Sequence, residues 1–326
     1  MSSGEVRFVG VHVGATSVHV AVTDADSRIL ARSSTVVDAR LAPRAVLREA
    51  LDLLAKLRTE GWAAEVAGLG VGIPGQARWE RARATPAWSR LPVVEMVSGA
   101  VQAPVVVDGE VNVMARGEAV AGTARSVDDF LFLKLGTHIG CAVVIDGELH
   151  RGVHGSAGGI GHMRLDSRGP SCSVGHVGCL EAFAGGAALA RQAWAAAQSD
   201  RSPYLAERLS VTGRLSAKDL GAAADAGDPA AVALVHEGGR RIGEALATVV
   251  SLLNPGLVVV GGGVSGLGHR LLAEIREVVH RASPSSAGGV PVVLSEMGTA
   301  AGVVGAARLA ADFHSRHYPW AVTSCG

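Results

Sequence analysis

Two segments about 120 residues apart are built to one plan. HVGATSVHVAVTDADSRIL (12–30) and KLGTHIGCAVVIDGEL (134–149) each run as a strand, a small-residue turn carrying a threonine, a second strand, an acidic turn and a third strand. A strand-rich module used twice predicts two similar halves facing each other. The same economy shows in the 43 glycines, about twice the usual share. Many stand in short clusters where a predicted strand ends, and there a backbone can approach phosphate closely.

The remaining pattern alternates strands with helices. Apolar strands are predicted at 6–15, 66–75, 101–110, 130–140, 257–263 and 291–295, with hairpin partners at 17–24, 28–37 and 141–152. Helices are predicted at 43–60, 111–122, 180–198, 216–226, 229–253, 267–282 and 299–313, the first opening at Pro43 with Leu47, Leu51 and Leu54 on one face. This α/β order gives parallel sheets whose ligands sit at strand C-termini. Residues 153–180 are rich in Gly, His and Cys and show neither period, and a loop of that length is usually functional.

Composition excludes several classes. With 326 residues, 48% apolar and 18% charged, the chain can fill two ordinary cores. The 30 basic and 30 acidic residues balance, whereas nucleic-acid binding needs a basic excess, so no nucleic-acid partner is expected. No membrane span and no export signal are expected, which reads as a cytoplasmic chain. Cys141, Cys172, Cys179 and Cys325 are too few to imply structural disulfides there.

Four glycine turns follow predicted strands: Gly14-Ala15-Thr16, Gly72-Ile73-Pro74-Gly75, Gly136-Thr137-His138-Ile139-Gly140 and Gly261-Gly262-Gly263. Glycine frees backbone N–H groups to meet phosphate, and threonine adds a hydroxyl. A single such turn is ordinarily structural, but four in two similar halves point to a nucleotide. The dinucleotide fingerprint and the Walker lysine motif are both missing.

The series HVGAT (12–16), GVGIPG (70–75), VDGEVN (107–112), GTHIG (136–140), AGGIGH (157–162), the cysteine segment 172–181 and VVVGGGVS (258–265) resembles, in order and spacing, the ROK family of sugar kinases, repressors and related open reading frames. The resemblance implies an actin-like (ribonuclease H-like) duplicated ATPase fold, with two domains around a central cleft. Expected domains are 1–112 together with a C-terminal helix at about 299–326, and 113–298. It also implies ATP with Mg as cofactor, a homodimer, and a cradle of Gly14, Thr16, Gly136 and Thr137 for phosphate, with Gly261, Gly262 and Gly263 beside the nucleoside. Gly75, His162 and Glu181 fall at substrate positions, although Glu181 would equally serve as a first-turn helix residue.

Several positions depart from the pattern. Where the family has an aspartate that helps hold the Mg-nucleotide, this chain has His12. An imidazole is a poor substitute for a hard carboxylate toward Mg²⁺, so nucleotide binding is expected to weaken; a protonated His12 could meet a phosphate directly, and a buried strand-end histidine without a ligand is the alternative reading. The family's Asn-Asp pair is Gly109-Glu110. Glu110 keeps a carboxylate able to act as general base, displaced by about 1.5 Å, and is otherwise an ordinary helix-start glutamate. The sugar-binding glutamate is replaced by Gly159. In the resemblance His162, Cys172 and Cys179 are zinc ligands, but the middle cysteine is Val174, leaving His176 or water as the fourth ligand, or a loop that packs without metal.

The expected activity is phosphoryl transfer from ATP to a hydroxyl of a sugar-like molecule other than ordinary glucose: an amino sugar, a deoxy sugar or a cyclitol. The rival expectation is a pseudokinase that binds or regulates. A DNA-binding repressor would need a helix-turn-helix domain ahead of Val9 and is not expected.

Overall fold

The computed structural model describes residues 6–38, 41–76, 83–84, 88, 91–282 and 289–317. Cys325 lies outside the described residues. The chain opens with β1 (Phe8–Val13), β2 (Ser17–Thr23) and β3 (Ile29–Val36), then α1 (Pro43–Thr59), β4 (Gly68–Ile73), the two-residue β5 (Gly75–Gln76) and β6 (Arg83–Ala84), α2 (Val93–Ser98), β7 (Val105–Gly109) and α3 (Glu110–Ala121). The second half runs β8 (Phe130–Leu135), β9 (Ile139–Ile145), β10 (Glu148–His150), α4 (Leu180–Ala184), α5 (Gly186–Gln198), α6 (Pro203–Thr212), α7 (Ala217–Asp225), α8 (Pro229–Leu253), β11 (Leu257–Gly261), α9 (Gly268–Ala282), β12 (Val292–Leu294) and α10 (Ala300–His317).

The internal repeat is realised as two five-stranded sheets of one topology. One has the order β3-β2-β1-β4-β7, the other β10-β9-β8-β11-β12. In the first, β1, β2 and β3 form an antiparallel meander, and β4 and β7 add in parallel beside β1. In the second, β9 is antiparallel to β8, while β11 and β12 add in parallel. Burial on both faces explains why the parallel strands read as continuous apolar runs such as LVVV.

Contacts divide the chain into two compact units. The first comprises Met1–Ser126, Gly147–Ala157 and Glu296–Gly326; the second comprises Val127–Asp146 and Gly158–Ser295. This differs from the expected division at 112/113, because all of α3 stays with the first unit. The reason is its packing on α10: a Cβ at Gly117 would lie 2.0 Å from the Ala301 carbonyl oxygen, and one at Gly305 would lie 1.7 Å from that of Val113.

Each unit has its own core. In the first, Val11, Val13, Val20, Leu69, Val71 and Ile73 pack with Leu47, Leu54 and Leu57 of α1. In the second, Leu131, Leu133, Val258 and Val260 meet Leu189 of α5, Leu246 of α8 and Ile275 of α9. Helix ends follow their local chemistry. Asp228 accepts the Ala231 N–H at 2.9 Å to start α8, and Asn254, left-handed at φ +45, stops it. A capping box between Ser216 and Asp219 opens α7. The helix expected over 180–198 is two helices: Gly185 is extended, and the Gly186 N–H donates to the Gly136 carbonyl at 2.8 Å. Two helices, α2 and α6, were not expected. Among the described residues no helix is long and apolar enough to cross a membrane.

The other face of the first sheet is covered by α10 at backbone contact. A Cβ at Gly10 would lie 1.9 Å from the Val303 carbonyl oxygen, and one at Gly70 would lie 1.8 Å from that of Ala306. Gly70→Ala should therefore destabilise the protein by about 3 kcal/mol or more, since backbone must move. Gly99→Ala, where nothing lies within 4 Å of the new atom, should stay within about 0.5 kcal/mol. Urea denaturation of the two variants checks the contrast.

Candidate functional site

The parallel strands of the first unit end in one row. His12 of β1 pairs with Gly72 of β4, and Gly72 pairs with Asp108 of β7, so the three positions share a face of the sheet. A Cβ on Gly72 would meet Val113 of α3 at 2.4 Å, which fixes that face as the one covered by α3 and α10. The His12 ring is buried there. A Cβ on Gly302 of α10 would lie 2.4 Å from it, and the His19 ring stacks against it, centroids 6.2 Å apart. At position 12 the imidazole is packed against a helix backbone and a second histidine. Burial, and next the nearby Arg32, lower the pKa of His19.

Asp108 is the hub at the end of this row. It is buried, and one oxygen accepts both the Gly109 N–H at 2.8 Å and the Asn112 amide at 2.7 Å. The other accepts Arg151 at 2.5 Å. Glu110 follows at the first position of α3, 6% exposed, where the helix dipole favours a carboxylate. Gly109, at the N-cap, offers no side chain. The Gly14 N–H donates to the Ser17 carbonyl at 2.8 Å and shapes the β1–β2 turn, leaving Thr16 exposed. Gly75 is left-handed at φ +95 just beyond β4.

In the second unit the expected phosphate turn and nucleoside turn lie side by side. Lys134 of β8 pairs with Gly261 of β11, so Gly136-Thr137 and Gly262-Gly263 leave the sheet at neighbouring strand ends. The Val264 N–H donates to the Leu135 carbonyl at 2.8 Å. Gly262 is left-handed at φ +96, and a Cβ on it would meet that same carbonyl oxygen at 2.5 Å. The Gly136 and Thr137 carbonyls accept from the first N–H groups of α5.

The polar centre of this unit is Glu181, buried at the start of α4. It faces His138 of the GTHIG turn at 3.1 Å and accepts the Ser173 hydroxyl at 2.6 Å. Burial pushes its carboxyl up, but the hydrogen bonds from His138 and Ser173 and the charges of His138 and His162 outweigh this and bring it down to about 2. Glu181 is thus an ionised acceptor tying the turn to the cysteine loop. In that loop His162, Cys172, His176 and Cys179 each offer a donor atom, all within 4.8 Å of one another. Two sulfurs and two imidazole nitrogens at that spacing fit a tetrahedral divalent ion of borderline softness. Burial, followed by the Cys172 hydrogen bond and charge, raises the Cys179 thiol pKa. Cys141, pushed up to about 12 by burial alone, is an inert core thiol.

The structure thus gathers Gly136, Thr137, Gly261, Gly262, Gly263, His162, Cys172, Cys179 and Glu181 in the second unit, and Gly14, Thr16, Gly75 and Glu110 in the first. Sequence reasoning passed over Asp108, Asn112, Arg151, His138 and Ser173 as site residues. All but Arg151 lay inside motifs already singled out. Arg151 joins Asp108 from 43 residues away and carries no local signal.

Two five-stranded sheets of one strand order, with glycine turns at their strand ends, define the class of actin-like, duplicated ATPase folds. Within it the chain belongs to the ROK family, whose profile matches residues 8–313. It is similar to the glucokinase of Halalkalibacterium halodurans, 31% identical over 307 residues that cover 91% of this chain and 93% of that protein. The N-acetylmannosamine kinase of Citrobacter koseri is 31% identical over 303 residues, covering 93% and 98%. Among solved structures, a ROK family glucokinase from Streptomyces griseus in complex with glucose and AMPPNP superposes with a TM-score of 0.81 at 31% identity, covering 94% of this chain and 99% of that one.

The Asp108 hub makes a direct prediction. Arg151→Met should cost about 1–3 kcal/mol in urea unfolding, because a buried carboxylate loses a charged donor. Adding Asp108→Asn to that variant should cost less than Asp108→Asn alone, giving a measurable coupling in a double-mutant cycle.

Proposed function

We propose that this protein is an ATP-dependent phosphotransferase acting on a hydroxyl of a sugar-like substrate, with Glu110 as general base. The observation that carries the reading is a buried carboxylate at the first position of α3, next to the end of β7, in a chain that keeps glycine turns at the strand ends of both units. The named activities of its relatives, on glucose and on N-acetylmannosamine, support a sugar-type acceptor. The AMPPNP in the Streptomyces griseus complex supports ATP as donor. In this reading the substrate hydroxyl passes its proton to Glu110 as its oxygen bonds to the γ-phosphorus, and the bond to the ADP oxygen breaks. Gly14, Thr16, Gly136 and Thr137 give donors to phosphate; Gly261 to Gly263 line the nucleoside. His162, Glu181 and Gly75 face the substrate, with Glu181 held ionised to accept a hydroxyl hydrogen bond.

Gly109 and Gly159 give the substrate no side chain, so a ligand with fewer or different hydroxyls is favoured: an amino sugar, a deoxy sugar or a cyclitol. Mg²⁺ would supply charge neutralisation to the phosphates. With His12 packed under Gly302 rather than a carboxylate, it is held less firmly, and nucleotide affinity falls. Zinc suits the donor set of the cysteine loop, with His162, Cys172 and Cys179 among its ligands. The family resemblance favours a homodimer.

A second reading is a sugar-binding regulatory protein without turnover. It is favoured by the His12 imidazole, packed against α10 and His19 at the position where the family resemblance has a carboxylate. Calorimetry and a coupled ADP assay on a sugar and cyclitol panel separate the two. The expected result is weak, Mg-dependent ATP binding with turnover on at least one substrate. Glu110→Gln should lower that turnover about 10²–10⁴-fold while leaving ATP binding intact. Unchanged turnover would remove Glu110 as the base. Sugar binding without heat from ATP at millimolar concentration would favour the regulatory reading.

A further inference from the structure

In the cysteine loop Val174 stands where the family resemblance has a cysteine, and His176 offers a donor two residues away. We propose that His176 is the fourth ligand of the zinc site, replacing the cysteine missing at position 174, so that the ion is held by two histidines and two cysteines. The inference rests on the reading that this loop binds metal, and it concerns which of its residues close the site.

The register of the loop carries the argument. Ser171 bridges Val177 in antiparallel fashion, and the Cys172 N–H donates to the His176 carbonyl at 2.8 Å. Cys172 and His176 are therefore directly opposite each other, and opposed residues of an antiparallel pair project to the same face. The chain reverses between them through Gly175, left-handed at φ +89, whose N–H donates to the Cys172 carbonyl at 3.0 Å. Val174 stands at the tip of this reversal, 49% exposed. A second pairing, the isolated bridge of Arg164 with Cys179, places the other cysteine beside the segment that leads from His162. The His162 and His176 rings meet edge to face, centroids 6.2 Å apart.

All four donor atoms lie within 4.8 Å of one another. Zn–N bonds of about 2.0–2.1 Å and Zn–S bonds of about 2.3 Å give tetrahedral donor separations of roughly 3.3–3.8 Å. Each donor thus has about 1 Å or less to travel, within the reach of side-chain torsions. Closed four-ligand coordination is what structural zinc adopts, whereas three protein ligands and a water characterise catalytic sites. Two thiolates neutralise the dication, so this set carries no net charge, where one histidine with three cysteines carries a net negative charge. The site therefore presents the neighbouring Glu181 with one negative charge fewer.

The test uses untagged full-length protein and needs no activity. Wild type should contain about one zinc per chain by elemental analysis. After exchange for cobalt, its thiolate-to-cobalt charge-transfer band should show two sulfurs. His176→Ala should lower zinc affinity in chelator competition by more than about 10²-fold, since even partners behind the ligands are worth 10–100-fold. Val174→Cys with His176→Ala should restore the metal, with a cobalt band stronger in the ratio of three thiolates to two. Val174→Ala alone should change nothing. Wild-type affinity and an unaltered cobalt spectrum in His176→Ala would overturn the assignment while leaving the metal site standing. Less than about a tenth of an equivalent of zinc in wild type would overturn the metal reading itself.

Discussion

The first unit depends on one steric constraint: α10 lies on its sheet with main chain touching main chain. Gly10 and Gly70 admit the carbonyls of Val303 and Ala306, and Gly117 and Gly305 bring α3 against the same helix. No Cβ fits at any of these four contacts. Dispersion falls off steeply with distance, so contact this close gives small residues the packing that larger side chains supply elsewhere. The consequences reach the site. Seating α10 on the sheet brings Gly302 onto the His12 ring, and seating α3 on α10 holds Glu110 and Asp108 at the end of β7.

The pattern of substitution then has a structural logic. The second unit keeps an interlocked polar set: Glu181 binds His138 and Ser173, and Ser173 belongs to the loop that carries Cys172 and His176. A change in that loop moves an acceptor as well as a metal donor. In the first unit the Asp108 hub bonds the main chain of Gly109 and the side chains of Asn112 and Arg151. No side chain at 109 or 110 is among those bonds.

Much of this was legible in the sequence, and the misses have causes. The twofold module read correctly because strand, turn and strand are local and repeat in order. α6 was missed because Leu205 is its only fully buried residue, so no apolar period marks it. α2 has six residues, with only Val93 and Val97 buried, too short for a period to show. The break at Gly185 follows from a long-range bond to Gly136, which no window around 185 contains. At the site, the spacing of His162, Cys172 and Cys179 flagged the loop. That His176 joins them depends on the register of a five-residue reversal, and that Arg151 reaches Asp108 depends on a contact with no sequence period.

The chain order of the first unit has a consequence for biosynthesis. Its sheet is complete in sequence at Gly109, yet α10 begins only at Ala300. At about 5–20 residues per second, roughly 190 residues and some 10–40 s separate the two on the ribosome. For that interval the glycine-lined face of the nascent sheet lacks the cover of α10, while the whole of the second unit emerges. The half that is begun first is therefore finished last, and its closure waits on release of the C-terminal helix from the exit tunnel.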